Sequence, residues 1–463
     1  MFSDFKATQT DAGLNFDIQL EKDKKVYCFI GENGAGKTNM LENISKILIC
    51  GHAMFIADET KYSKIYTNRY IFDVIKDFRL SLPVSVKIDN INLKDKSSFD
   101  SSEISLNDIV KKEKKIQDTK QLSEIKEQIK NIEKNKKTIF FYLRPIFSQF
   151  DKPIIFIGAK ERGFTKNIDR NNVKLLGDAN DRFIEAFTRT FKYMSGEAVE
   201  DNAIADWFNS RVIINPAYIP QDQNRMFEVL LVLELMQALD PDLTDLIISD
   251  NGNQIPNISF GEGKLHFNKI PIDKLSTGFV SVIKIFQEII AGYGGWAGLI
   301  GETDLKNMEG IVFIDEIEAH IHPKWQYKFI PLLKKFFPKT TFFIATHSPT
   351  IVSTTDEGEA YELIREGNNV TAKKLGNPKA WYLADVLEQG FHVDFDDLEE
   401  SENETPSLIE LLKKFSEMVK DYTVKKDGVL KQDIESLYQK IVPSLGEDDP
   451  RRRSLDSLKG LVK

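Results

Sequence analysis

Gly31-Glu32-Asn33-Gly34-Ala35-Gly36-Lys37-Thr38 decides the fold of this chain. A compact apolar run, Lys25 to Ile30, leads into it, and a stretch with Met40, Leu41, Ile44 and Ile47 on one helical face leads out. Strand, glycine-rich turn and helix in that order form a P-loop, which places the chain in the α/β class. The glycines permit a tight turn, so that backbone N–H groups face phosphates at a helix N-terminus, where the dipole favours anions. Gly31, Asn33, Gly34, Ala35 and Gly36 supply that cradle. Lys37 is placed to reach the β- and γ-phosphates of a nucleotide, and the Thr38 hydroxyl to ligate Mg²⁺.

Upstream, residues 2–8 and 14–20 alternate polar and apolar positions around the turn Asp11-Ala12-Gly13, which predicts two short strands. Downstream, residues 70–92 read as a helix and then a strand at Val84 to Ile88. Composition then changes: residues 93–137 are rich in Lys, Ser, Glu and Gln, with ten lysines against five acids from 111 to 137. Leu122, Ile125, Ile129 and Ile132 are spaced 3-4-3, either a short coiled-coil seam or the docked face of a solvated helix. Strand character returns at Thr138 to Tyr142 and Pro153 to Ile157. Helices are expected over 176–240, and hairpins over 242–272 with turns at Asn251-Gly252 and Gly261-Glu262-Gly263. Beyond 356 come a short strand pair, an acidic run from Asp394 to Glu404 with seven acids and no base, and a helical tail. The expected organisation is a head in two parts, 1–100 and 138–375, a helical insertion at 101–137, and an acidic linker with helical extension at 376–463.

Three late segments carry further chemistry. Ile311-Val312-Phe313-Ile314-Asp315-Glu316 is a buried-strand run ending in paired carboxylates. Beside a P-loop, Asp315 is suited to hold Mg²⁺, and Glu316 to polarise an attacking water as general base. Leu275-Ser276-Thr277-Gly278 opens an apolar helix, Phe279 to Ala291, and so forms an N-cap or a second phosphate site. Ala345-Thr346-His347-Ser348-Pro349 follows another apolar strand.

These segments, with Asp315-Glu316-x-Glu318-x-His320-x-His322-Pro323, resemble the OLD, RecF and SMC branch of ABC-type ATPases. The version here is most similar to the ATPase subunits of bacterial anti-phage systems such as PARIS and, second, Septu. The resemblance implies an ABC-type ATPase head with a mixed sheet, and ATP with Mg²⁺ sandwiched between two copies of the chain. Ser276 and Gly278 would then face the nucleotide of the opposite protomer, Glu316 would be catalytic, and His347 would be the switch histidine at the γ-phosphate. The loop from Glu318 to Pro323 would cross the dimer interface; its His-x-His lacks a third ligand at useful spacing for a metal. Thr277 and Phe279 replace the second glycine and the glutamine of the commonest signature. The Q-loop glutamine has no match between Gln19 and Gln117, which leaves Gln149, Gln221 and Gln223 as candidates.

The implied function is a cytoplasmic sensor ATPase, a homodimer or higher oligomer, that hydrolyses ATP and controls a separate effector such as a Toprim or HNH nuclease. A phage-encoded trigger would fit. Asp394-Phe395-Asp396 has no apolar strand before it and reads as linker rather than as a Toprim metal site. The acidic run and the lysine-rich helix are the candidate docking segments. The alternative is an SMC- or RecF-like repair ATPase acting on DNA, against which stand a net charge of −9 and the short seam. A transporter subunit would carry a glycine-glutamine signature. Two cysteines, Cys28 and Cys50, make no disulfide framework. Neither a signal segment nor a run of about 18 apolar residues is found, so no membrane association is expected.

Overall fold

The computed structural model describes residues 4–8, 10–50, 85–88, 91–93, 152–160, 162, 176–196, 203–212, 224–243, 246–248, 254–256, 258–261, 264–393, 408–426, 428–445 and 450–462. The lysine-rich insertion, the strand expected at Thr138 to Tyr142, the turn Asn251-Gly252, the three candidate glutamines and the acidic run lie outside the described residues.

Alternation of polar and apolar residues makes the outer strands. In β1 (Asp4–Thr8) and β2 (Asn15–Gln19), Phe5 faces Ile18 and Ala7 faces Phe16 across an antiparallel ladder, all four on the buried side. By contrast β3 (Val26–Ile30) is buried at every position, as a strand covered on both faces must be. It ends at the P-loop, and α1 (Lys37–Cys50) follows. After β4 (Ser85–Ile88), β5 (Ile91–Leu93) and β6 (Ile154–Ile157) come the helices α2 (Ala179–Met194), α3 (Ala203–Val212) and α4 (Met226–Leu239). The hairpin region holds β7 (Leu246–Ile248) paired with β8 (Gln254–Pro256). A three-stranded sheet of β9 (Ile258–Gly261), β10 (Lys264–Phe267) and β11 (Ile270–Pro271) follows.

Leu275-Ser276-Thr277-Gly278 leads into α5 (Thr277–Ile300), which runs well past the expected end at Ala291. Gly292, Gly294, Gly295 and Gly298 read as helix breakers. They persist because neighbours pack closely: a Cβ on Gly295 would lie 2.9 Å from the Phe183 Cα of α2, one on Gly292 would lie 2.5 Å from the Ile155 side chain of β6, and one on Gly294 would strike the Glu228 carboxylate of α4. Arg189 of α2 also pairs with Glu288 of α5 at 2.8 Å, both buried. Then come β12 (Gly310–Ile314), α6 (Pro323–Phe336), β13 (Thr340–Ala345), α7 (Pro349–Val352), β14 (Ala360–Glu366), β15 (Asn369–Lys374) and α8 (Leu383–Phe391).

Among the described residues one ten-stranded sheet runs β5-β4-β1-β2-β15-β14-β3-β13-β12-β6. Its β14, β3, β13, β12 and β6 pair in parallel, with Ile314 opposite both Ile344 and Ile157 and Ala345 opposite Phe29. That register is reinforced by rings stacked in line across four strands. Tyr27 meets Phe343 at 5.1 Å, Phe343 meets Phe313 at 5.1 Å, and Phe313 meets Phe156 at 6.0 Å. The C-terminal ends of these parallel strands therefore share one edge of the sheet, where α/β folds bind ligands.

Two compact units are present, Met1–His392 and Val393–Lys463. Residues 376–392, expected in the C-terminal extension, belong to the first unit, since Val386 of α8 is buried in its core. In the second unit α9 (Leu408–Lys425), α10 (Gly428–Ile441) and α11 (Pro450–Lys459) close on their own core of Phe415, Val419, Ile434, Ile441 and Leu455. No helix among the described residues is long and apolar enough to cross a membrane.

Candidate functional site

Four loops meet at that sheet edge: the P-loop after β3, Gly158 to Arg162 after β6, Asp315-Glu316 after β12, and Thr346-His347 after β13. Gly31 opens the P-loop at φ 145°, and a Cβ there would sit 2.6 Å from the Leu363 carbonyl oxygen, so only glycine fits. Lys37 folds back and donates to the carbonyls of Gly31 at 2.8 Å and Glu32 at 3.1 Å. Burial lowers its pKa, opposed by the negative charges of Asp315, Glu318 and Glu316. Arg365, at the end of β14, donates to the Gly34 carbonyl at 2.9 Å and so closes the loop from the far side.

Thr38 Oγ1 lies 3.0 and 2.9 Å from the two oxygens of Asp315, joining the first turn of α1 to the end of β12 across 277 residues of sequence. Burial pushes the Asp315 carboxyl up to about 6, with the Thr38 hydroxyl bond working against the rise. A buried carboxylate beside a neutral hydroxyl is a donor set that fits a hard divalent cation, so the pair assigned to Mg²⁺ stands together. The folded protein keeps the Asp315 proton between 3.8 and about 6, where the unfolded chain has released it. Stability therefore falls as pH rises across that interval and stays low above it. Asp315→Asn is expected to raise the melting midpoint of the nucleotide-free protein near neutral pH, by a margin that shrinks from about pH 6 toward about pH 4. A margin that does not change with pH, read by thermal melting across a buffer series, would show that Asp315 carries no such burden.

Glu316 is exposed and holds φ 45°, in the left-handed region that a residue with a side chain rarely adopts. Glu318 accepts from Thr346 Oγ1 at 2.6 Å and from the His347 backbone N–H at 2.5 Å. It thereby fixes the loop that carries His347. Burial and the Lys37 charge lower the His347 pKa, which favours the neutral imidazole. Gln326 of α6 donates to the Ile321 carbonyl and accepts from Ser348 Oγ, tying the loop after β12 to the one after β13. His322 caps α6, its Nδ1 accepting from the Lys324 N–H at 3.2 Å.

Ser276 caps α5 by accepting from the Phe279 N–H at 3.3 Å, and it remains exposed. Gly278 has a second constraint inside its own chain: a Cβ there would lie 2.6 Å from the His320 carbonyl oxygen. Sequence reading missed Arg162, Arg365, Gln326 and the tether role of Glu318. Only Glu318, inside the quoted Asp-Glu-x-Glu motif, carried a signal.

A P-loop lysine and threonine, a strand-end Asp-Glu and a histidine loop on one edge of a parallel sheet define an ABC-type P-loop ATPase head. Residues 84–353, more than half of the chain, match the family described as "AAA domain, putative AbiEii toxin, Type IV TA system", and the chain belongs to that family. The "Septu protein PtuA" of Bacillus thuringiensis is 29% identical over 203 residues, 43% of this chain and 46% of that protein. The "Retron Ec83 probable ATPase" of Escherichia coli is 31% identical over 141 residues, 28% of this chain and 26% of that protein. The chain thus spans less than half the length of these curated relatives. Among solved structures, an SMC head bound to the C-terminal winged-helix domain of ScpA aligns over 85% of this chain and 99% of its own, at 10% identity and a TM-score of 0.35. The assignment of the head rests on the sheet order and site geometry rather than on that alignment.

Proposed function

We propose that this chain binds and hydrolyses ATP, with Mg²⁺, as the regulatory subunit of an anti-phage defence complex that controls a separate effector. The Thr38–Asp315 contact carries the ATPase half of the reading, because it joins the phosphate loop to the acidic strand end. The Septu and retron relatives support the defence half. Lys37 and the P-loop N–H groups would hold the phosphates, Glu316 would polarise the attacking water, and His347 would contact the γ-phosphate. Thr38 and Asp315 would hold Mg²⁺, which when bound would offset phosphate charge. Ser276 and Gly278 would complete the site of a second copy, making the working unit a homodimer or a higher assembly. The effector is a separate nuclease in this reading, and the acidic run or the lysine-rich segment docks it or the trigger.

Shared sites make two inactive chains complementary. Ser276→Arg is the signature variant of choice, because a side chain on Gly278 would also strike the His320 carbonyl within its own chain. Lys37→Ala and Ser276→Arg chains, co-expressed with the neighbouring genes and co-purified, are expected to recover roughly a quarter of wild-type ATP turnover, since half the dimers are mixed and each has one intact site. Each chain alone should give phage plaque counts equal to those of an empty vector, and the pair should lower them. Co-assembled chains that stay inactive would refute shared sites. Full phage protection by either single variant would refute the defence role of the ATPase.

A further inference from the structure

We propose that Arg162 is a positioning residue for Glu316 in ATP hydrolysis, and that Ser281 couples its setting to the signature helix α5. The inference rests on the ATPase reading above.

Arg162 has no exposed surface. Its Nη1 donates to the carbonyls of Asp315 at 3.0 Å and Gly158 at 3.3 Å, its Nη2 to the Glu316 carbonyl, and its Nε to Ser281 Oγ at 3.1 Å. All of these acceptors are neutral oxygens, and among the described residues no carboxylate pairs with the guanidinium. Burial pushes its pKa down only to about 10, so the group stays charged at neutral pH. A charge kept in a core without an ion pair costs stability, and an apolar side chain would fill the space more favourably. The compensation lies in what the guanidinium holds. It grips the backbone carbonyls on both sides of the Glu316 Cα, where Glu316 sits at φ 45°. A residue with a side chain persists in that conformation only when its surroundings over-determine it.

Ser281 extends the grip. The hydroxyl that accepts from Arg162 donates to the Ala319 carbonyl at 3.0 Å. It lies one turn into α5 from Ser276-Thr277-Gly278, and Gly278 itself abuts the His320 carbonyl. The opening of α5 therefore touches the loop after β12 at Ala319 and His320, and through Arg162 reaches Glu316. A displacement of the signature segment when a second copy engages it would be delivered to the group that polarises water.

Ser281→Ala and Arg162→Lys, as full-length proteins, test this against a merely structural role. Misplacing a reacting group by about 1 Å can cost on the order of 10²-fold in rate. Accordingly kcat is expected to fall about tenfold in Ser281→Ala and about a hundredfold in Arg162→Lys, with the nucleotide Kd changed less than about twofold. Repeating both substitutions in a Glu316→Gln background separates the explanations. A residue that acts through Glu316 should leave that residual rate unchanged, so the losses are not additive. Absence of ATP turnover in the wild-type chain would remove the ATPase reading and this inference with it. Wild-type turnover with an unaltered kcat in Ser281→Ala, or equal losses in both backgrounds, would overturn the inference alone. Ser281→Ala removes one oxygen and keeps the test open if Arg162→Lys fails to fold.

Discussion

Lys37→Ala is expected to abolish nucleotide binding. The lysine is 7% exposed, and its ammonium is held on the carbonyls of Gly31 and Glu32, already inside the loop that would receive phosphate. Burial works against its charge, which the acidic groups at Asp315, Glu318 and Glu316 sustain. An incoming polyphosphate brings more negative charge to a site that already contains those carboxylates. Without Lys37 the anion would face three acids with only backbone N–H groups and the helix dipole in its favour. Truncating one partner of a buried, hydrogen-bonded charge pair costs about 2–5 kcal/mol, which is roughly 30- to several-thousand-fold in Kd. Titration with a fluorescent ATP analogue should show saturable binding by the wild type and none by the variant at micromolar nucleotide. The same loss should appear as a missing nucleotide-dependent rise in melting midpoint, since a ligand stabilises only the state that binds it. Equal rises in the two proteins would mean that nucleotide binds elsewhere.

The parts of this site that lie within one short segment were legible in the sequence. Glycine spacing between an apolar strand and an amphipathic helix defines the P-loop locally, and an apolar run closing on Asp315-Glu316 defines the acidic strand end. Most contacts between distant segments were not legible. That Thr38 stands beside Asp315 was legible only through the Mg²⁺ role given to both, and no periodicity announces that the rings of Tyr27, Phe343, Phe313 and Phe156 stand in register, or that Arg162 reaches two carbonyls beyond β12. Such facts follow from strand order, which single-chain patterning leaves open. The length of α5 beyond Ala291 was hidden for a related reason. Locally glycines signal a helix end, and only the close approach of β6, α4 and α2 explains their presence inside this helix. Gly278 shows the same limit from the functional side. Its motif suggested a phosphate contact, while the His320 carbonyl beside it supplies a packing reason for glycine at that position.

Glu316→Gln is expected to leave nucleotide binding intact and to slow hydrolysis by about 10²–10⁵-fold, the usual worth of groups that stabilise the transition state of phosphoryl transfer. The substitution preserves shape and the φ of 45°, because the Arg162 bond is made to the backbone carbonyl and not to the side chain. What it removes is the negative charge and the capacity to accept a proton from water. Asp315 cannot take over: its carboxyl is buried and turned onto the Thr38 hydroxyl. Glu318 is likewise committed, to Thr346 Oγ1 and the His347 N–H. Among the acids of this loop only Glu316 is exposed. Steady-state phosphate release, paired with equilibrium nucleotide binding on the same preparation, separates the two effects. Binding held within about twofold, together with the loss of rate, identifies a group that acts only in the transition state. Near-normal turnover by purified Glu316→Gln would remove Glu316 from the mechanism.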